Sequence, residues 1–580
     1  MMRGPEARVR FITFLLIVVL MLLVMQLVRI QLLEHPAYAQ EARALVERYY
    51  ALPSPPWGLV TDRNGDLLVG NQPVFDVGAE VEMIGDPVAA AERLAPHLHR
   101  PVGEIVAALT LRPEEQERPF VWHPLAQGIS QADAEALSAL HLPWLTLTPS
   151  WRRVYPEGHL AAHLLGFVNA EGDGYGLLAY EQRLLRGERV VQMGEVTGSS
   201  APMPEEAVSG FTMPYPGTTL RLTIDRTIQA FVEGELDKAL HDYSAESGTI
   251  IVMDPRTGAI LAMASRPVYE PEHYASYAKE DETSLFLDPA ISLAYEPGSV
   301  FKLVTVAAAL DAGVADLDWS YEDRGYLDYG GIRVYNWDRR AYGQQDLEGL
   351  LAHSLNVGAA TLATQALGAE RFYDYVRAFG FGQTTGIELM EEAPGILRVP
   401  GDWQWKDSDL ATNAFGQGIA VTPLQMATAV AAIANDGRLM TPYVVAERRY
   451  PDGRVVPILP REAGRPISAR TARTMWTLMA RAVEREVPQA QVPGYRIAGK
   501  TGTAQIPVEG GYDPEAIVAS FVGFGPIPDP QLLVFVKLDR PHVPPEMRWG
   551  STTAAPVFRR VASRLFTLLH IPPSEAAEGP

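Results

Sequence analysis

Ser299 and Lys302 stand three residues apart in "EPGSVFKLVTVAAALDAG", residues 296–313, a run that is almost wholly apolar from Val300 to Leu310. On a helix that spacing puts both side chains on one face. Lysine is rarely buried, because taking an ammonium out of water is costly. Burial therefore favours the neutral amine, which can accept a proton from a serine hydroxyl. A helix opening at Pro297–Gly298 would set Ser299 among free backbone N–H groups, where an alkoxide or an oxyanion is stabilised. The chemistry expected is nucleophilic attack by serine with lysine as its base. A snorkelling lysine on a half-exposed helix would show the same spacing.

S-x-x-K alone is a weak signal. A second copy, Ser276 to Lys279, lies in "YEPEHYASYAKEDETS", where acidic and polar neighbours and the lack of a following apolar helix predict a solvated loop. Two further motifs raise the first copy above it. Ser354-Leu355-Asn356 sits in "LLAHSLNVGAATLA" at the junction of two helical runs, and its hydroxyl and amide suit proton relay and the holding of a peptide group. In isolation it would read as a helix cap. Lys500-Thr501-Gly502-Thr503, in "RIAGKTGTAQI", offers a cation and two hydroxyls for a carboxylate, with Gly502 allowing close approach of a ligand to a strand. An ordinary edge strand with a bend is the plainer reading of that stretch.

Those side chains need elements to hold them. "TTLRLTIDRTIQAFVEGELDKAL" reads as a strand running into an amphipathic helix, and "SGTIIVMDPRTGAILAMAS" as two strands about a turn at Asp254–Gly258. "ASFVGFGPI" and "QLLVFVKLD" predict another strand pair, followed by a closing helix from about Ala554 to Leu569. Strands at both ends with helices between them predict an α+β fold, an antiparallel sheet covered by helices. Upstream, residues 34–215 alternate short β-like runs with Ala-rich helical ones, and "TGSSAPMPEEAVSGFTMPYPG" reads as a linker.

The order S-x-x-K, S-x-N, K-T-G belongs to penicillin-interacting serine enzymes, and the spacing here resembles that of the penicillin-binding proteins. "NAFGQGIAVTPLQMATAVAAIANDGRLMTP" and "VASFVGFGPIPDP" are similar to that family too, so the resemblance runs from about residue 215 to 569. "GLVTDRNGDLL" and "WRRVYPEGHLAAHLLGFVN" resemble the N-terminal pedestal of the class B members, the membrane-anchored peptidoglycan transpeptidases. "EPGSVFK" and "SLNVG" look like the cell-division type more than the elongation type. Two departures are visible in the pedestal: Trp57 stands where the family usually has arginine before Gly58, and Ala179 replaces a usual glycine.

The resemblance implies a penicillin-binding, serine β-lactamase-like transpeptidase domain at 216–570 and a pedestal or dimerisation-like domain at 34–215. A cytoplasmic tail (1–10), an anchor (11–33) and a C-terminal tail (571–580) complete the expected division. It implies that Ser299 is acylated by stem peptides ending in D-alanyl-D-alanine and by β-lactams. Lys302 would be the base, Ser354 the relay, and Asn356 the holder of the substrate amide. Lys500, Thr501 and Thr503 would bind the terminal carboxylate, with Gly502 between them, and the N–H groups of Ser299 and Thr503 would form the oxyanion hole. No metal and no organic cofactor is called for. The implied partners are a SEDS-type glycan polymerase and other division proteins. A β-lactamase or β-lactam sensor is the alternative: Glu391 and Glu392 fall near the position of a deacylating glutamate, but "IELMEEAPG" lacks the accompanying asparagine pattern and a lactamase has no use for a pedestal.

Composition bounds the setting. The 580 residues carry a net charge of −21, which argues against a nucleic-acid partner, and no cysteine, which excludes disulfides and thiol chemistry. "FITFLLIVVLMLLVMQLV", Phe11 to Val28, has no charge and spans about 27 Å as a helix. Arg3, Arg8 and Arg10 before it predict an N-terminus inside and the bulk of the chain outside the cytoplasmic membrane. Ala37–Ala39 resembles a signal-peptide cleavage site, but the apolar run exceeds the usual core of about 7–15 residues, so an uncleaved single-pass anchor is expected. "HLAAH", His159 to His163, lacks the glutamate of a zinc-protease motif and reads as surface or packing histidines.

Overall fold

Alternation at a period of two decides how the central sheet is covered. Strands Ser247–Asp254 and Ala259–Arg266 pair antiparallel about the Asp254–Gly258 turn, where the Asp254 carboxylate accepts from the Arg256 N–H at 3.0 Å. The last strand, Leu532–Asp539, lies against Ser247–Asp254 with Ile250 opposite Val536. Gly511–Gly525 follows, and Ala498–Val508 forms the far edge, giving five strands paired antiparallel throughout. Ile250, Val252, Val534 and Val536 face one way, onto helices Arg226–Tyr243 and Ala554–Leu568. Ile251, Met253, Leu533 and Phe535 face the other way, into the core that holds Val300, Leu303 and Val304. Both faces of Ser247–Asp254, Ala259–Arg266 and Leu532–Asp539 are buried, so these three strands read as nearly continuous apolar runs, whereas the edge strand Ala498–Val508 does not.

The computed structural model describes residues 5–29, 47–51, 55–110, 122–169, 172–187, 191–195, 216–279, 282–508 and 510–574. They group into two compact units, and the chain passes between them more than once. The larger comprises Trp57–Gln72, Arg152–Arg186 and Gly217–Pro580, so two stretches of the expected pedestal group with the sheet-bearing part of the chain. Within it Val60–Thr61 pairs parallel to Thr219–Leu222. Trp57 has an account there: the guanidinium carbons of Arg153 and Arg186 lie 5.4 and 5.2 Å from its ring centre. Ala179 sits half-buried in the short helix Gly176–Tyr180.

Helices of the larger unit begin where the sequence supplies caps. Asp225 caps Arg226–Tyr243, Ser468 caps Ala469–Glu486, and a Thr422/Gln425 capping box opens Pro423–Ala434, every residue of which is buried. The expected helix at Ser299 opens differently. Gly298–Phe301 forms a tight 3₁₀ turn and the α-helix proper runs Lys302–Asp311. The turn tightens because Gly298, at φ 56°, lies against the edge strand, where a Cβ would come within 3.0 Å of the Thr503 carbonyl oxygen.

The smaller unit contains Pro73–Trp151, in which helices Pro87–Leu98, Val102–Thr110 and Gln131–Ser138 pack around Val77, Leu94, Ile105, Leu125 and Leu137. The N-terminal helix Pro5–Val28 is long and apolar enough over Phe11–Val28 to cross a membrane, and none of that stretch is buried. Residues 30–33 of the expected anchor, the Ala37–Ala39 motif and nearly all of the expected linker fall outside the described residues.

Candidate active site

The lysine that the sequence placed in an apolar run is fully buried, and every partner of its amine is a neutral oxygen. Lys302 Nζ donates to Ser299 Oγ at 2.9 Å, to the Ser354 carbonyl at 2.6 Å and to Asn356 Oδ1 at 2.8 Å, with Ser354 Oγ at 3.3 Å. Among the described residues no carboxylate lies within ion-pair distance of it. Burial, and then the nearby charge of Lys500, hold its pKa well below the usual lysine value. An amine whose neutral form burial favours, 2.9 Å from a serine hydroxyl, is placed to take that proton.

Ser354 adopts the left-handed conformation, φ 57°, between helices Leu347–Ala352 and Asn356–Thr361. That bend turns both its carbonyl and its hydroxyl toward the lysines. Lys500 Nζ donates to Ser354 Oγ at 2.9 Å and to Thr501 Oγ1 at 3.3 Å. The Ser354 hydroxyl thus lies between two amines. Burial alone lowers Lys500 to about 7, so it is not the permanent charge its sequence context suggests. Thr503 Oγ1 accepts from the Gly550 N–H at 3.2 Å, which leaves the hydroxyl proton free to donate. Gly502 is needed for a reason other than ligand approach. A Cβ there would meet Ser520 Oγ at 2.3 Å and Val300 Cγ2 at 2.9 Å, so the glycine lets the strand press against the Ser299 turn.

Three consecutive residues that the sequence reading missed grip the Ser354–Asn356 segment. The Tyr335 carbonyl accepts from Asn356 Nδ2 at 3.0 Å, Asn336 Oδ1 accepts from the Val357 N–H at 3.2 Å, and Trp337 Nε1 donates to the His353 carbonyl at 3.2 Å. Asn336 is itself held by the buried Asp323, whose two oxygens accept from its Nδ2 at 3.0 and 2.9 Å. A polar and aromatic run, "VYNWD", 20 residues before the S-x-N motif is the only trace of this grip in the sequence. Trp337 also meets Trp549 edge to face at 5.4 Å.

The other sequence candidates separate from the site. Ser276 and Lys279 belong to a short helix, Tyr274–Lys279, rather than a loop, and it buries no residue. Ser276 Oγ donates to the His273 carbonyl at 2.7 Å, a local turn contact. Glu392 accepts from the Thr385 and Gly386 N–H groups at 2.7 and 3.1 Å, so it closes a turn. His163 is buried, bonded to the Leu285 carbonyl and packed edge-on against Tyr269, while His159 is half-exposed.

Residues 248–563 match the penicillin binding protein transpeptidase domain, and residues 53–221 match the penicillin-binding protein dimerisation domain. This chain is a class B penicillin-binding protein. The stage V sporulation protein D of Bacillus subtilis is 33% identical over 511 residues, covering 87% of this chain and 77% of that protein. The peptidoglycan D,D-transpeptidase FtsI of Escherichia coli is 30% identical over 544 residues, covering 90% and 85%. Penicillin binding protein 3 from Mycobacterium tuberculosis, solved with ampicillin, superposes with a TM-score of 0.68 at 27% identity, over 91% of this chain and 98% of that one. The penicillin-binding protein family thus spans both the buried-lysine site and the dimerisation-type segment before it.

Proposed function

We propose that this peptidoglycan D,D-transpeptidase works through an acyl-enzyme on Ser299. The Ser299 proton passes to neutral Lys302 as Oγ bonds to the penultimate D-alanyl carbonyl of a stem peptide. N–H groups of Ser299 and Thr503 take up the oxyanion charge. The carbon–nitrogen bond then breaks, and the proton returns through Lys302 and Ser354 to the departing D-alanine. Asn356 orients the substrate amide, and Lys500, Thr501 and Thr503 hold the terminal carboxylate. An amine of a second stem attacks the ester, its proton returns to Ser299 by the same relay, and the cross-link is closed. β-Lactams acylate the same serine and remain there. The reading rests above all on one observation, the uncompensated buried amine 2.9 Å from Ser299 Oγ.

We further infer a division-type enzyme, on the likeness of "EPGSVFK" and "SLNVG" to that type. It is anchored once in the cytoplasmic membrane with the N-terminus inside, and it works beside a SEDS-type polymerase and other division proteins. The decisive experiment is labelling with a fluorescent penicillin, followed by mass spectrometry of the adduct. The adduct is expected on the peptide holding Ser299, and Ser299→Ala is expected to label not at all. An adduct on Ser276, or undiminished labelling of Ser299→Ala, would overturn the assignment.

A further inference from the structure

The larger unit carries a second, basic feature that the transpeptidase reaction does not use. Two cavities lie by the turn Asp254–Gly258 and the connection 526–531, and a third adjoins the second through Arg496. The first, about 460 Å³, is lined by Arg63, Arg221 and Arg256. The second, about 600 Å³, shares Arg256 and adds Arg438, Arg473 and Arg496. The third, about 330 Å³, shares Arg496 and adds Arg559. Seven arginines therefore line the three cavities beside four carboxylates (Asp254, Asp436, Glu484 and Asp529), and Glu447, which pairs with Arg221, is a fifth, in a chain whose net charge is −21.

Local pairing does not consume this charge. Arg221 is paired with Glu447, Arg256 with Asp254, Arg473 with Asp436 and Arg496 with Glu484. Arg63, Arg438 and Arg559 have no carboxylate partner among the described residues, and each cavity has one of them. Every cation is an arginine, whose planar fork matches a carboxylate with two parallel hydrogen bonds. Apolar side chains line the same cavities as the charges: Leu261 and Ile571 in the first, Trp476 and Ile527 in the second, Val492 and Ile497 in the third.

We propose that this groove docks an acidic peptide segment of a partner protein, one that carries apolar residues between its carboxylates. The apolar walls favour such a peptide over a phosphate polymer, which would leave them in water. Recessed cavities likewise favour it over the flat surface of an anionic membrane.

The test uses the full chain in detergent micelles and a fluorescein-labelled peptide of repeated Glu-Leu-Glu-Gly units, read by anisotropy. Binding is expected, and it weakens with added salt as screened charges require. The same peptide with Gln for Glu should bind at least about tenfold more weakly. A variant carrying Arg63→Gln, Arg438→Gln and Arg559→Gln should also lose about tenfold or more, while penicillin acylation, which measures the fold and the Ser299 site, stays at the wild-type rate. No binding of the acidic peptide, or undiminished binding by the triple variant, would overturn the proposal. So would binding of sodium polyphosphate or phosphatidylglycerol vesicles, lost in the triple variant, without binding of the peptide.

Discussion

Lys500 is the residue whose behaviour should be seen most directly in solution. Burial lowers its pKa to about 7, so in the empty site it is charged below that pH and neutral above it. In the proposed carboxylate-binding role, its attraction for the substrate would accordingly be present at low pH and lost as the pH rises through about 7. Lys302, held well below the usual lysine value by burial and by Lys500, must lose its proton to act as the proposed base, so on that mechanism it sets the acid limb. Acylation by a penicillin should therefore fall on the alkaline side, whereas a neutral thioester donor without a carboxylate should keep its rate there. Charge-assisted hydrogen bonds are worth roughly 1.5–3 kcal/mol, so Lys500→Ala should cost the penicillin about ten- to a hundredfold and the thioester much less. Stopped-flow acylation with both donors from acid to alkaline pH is the measurement. Equal alkaline losses for both would show that Lys500 acts through the Ser354 hydroxyl rather than on the carboxylate.

Among the elements, the segment Tyr335–Trp337 controls where Asn356 points, although it touches no reacting atom. Its anchor is Asp323, which is 1% exposed and binds Asn336 with both oxygens. Asn336→Ala would release the Val357 N–H and leave Asp323 short of a donor, letting the S-x-N turn shift. A misplacement of about 1 Å can cost on the order of a hundredfold, so a ten- to hundredfold loss of acylation rate is expected. Asn356 Oδ1 accepts from Lys302, and an ammonium is the stronger donor, so losing that bond should move the acid limb of the rate profile to lower pH. Mere loss of folded protein would lower the labelled fraction and leave the midpoint where it was. The difference marks how far sequence reaches. The 254–258 hairpin, the closing helix and the S-x-x-K face follow from local periodicity and turn residues. The grip of 335–337 on 353–357 depends on a bend at Ser354 that a serine does not announce, since αL is unusual for a residue with a Cβ. The 3₁₀ turn at Ser299 likewise comes from packing against Thr503, about 200 positions away.

For the whole molecule, possession of the motifs and possession of the site are different things. A chain ending at Gln531 would contain Ser299, Lys302, Ser354, Asn356 and Lys500–Thr503, yet lack the strand Leu532–Asp539 that joins the hairpin 247–266 to Gly511–Gly525. Such a truncation should show no penicillin labelling at any concentration that saturates the full chain. Residual labelling would mean that the Ser299–Lys302 turn assembles without its sheet. The position of that strand also has a bearing on timing. In the proposed orientation the chain is exported from its N-terminus and delivers its middle strand last, so the proposed nucleophile Ser299 would wait outside the membrane, inert, until nearly the whole chain had crossed. An antibiotic arriving during export would find no target, and a stalled chain could neither cross-link wall nor be poisoned.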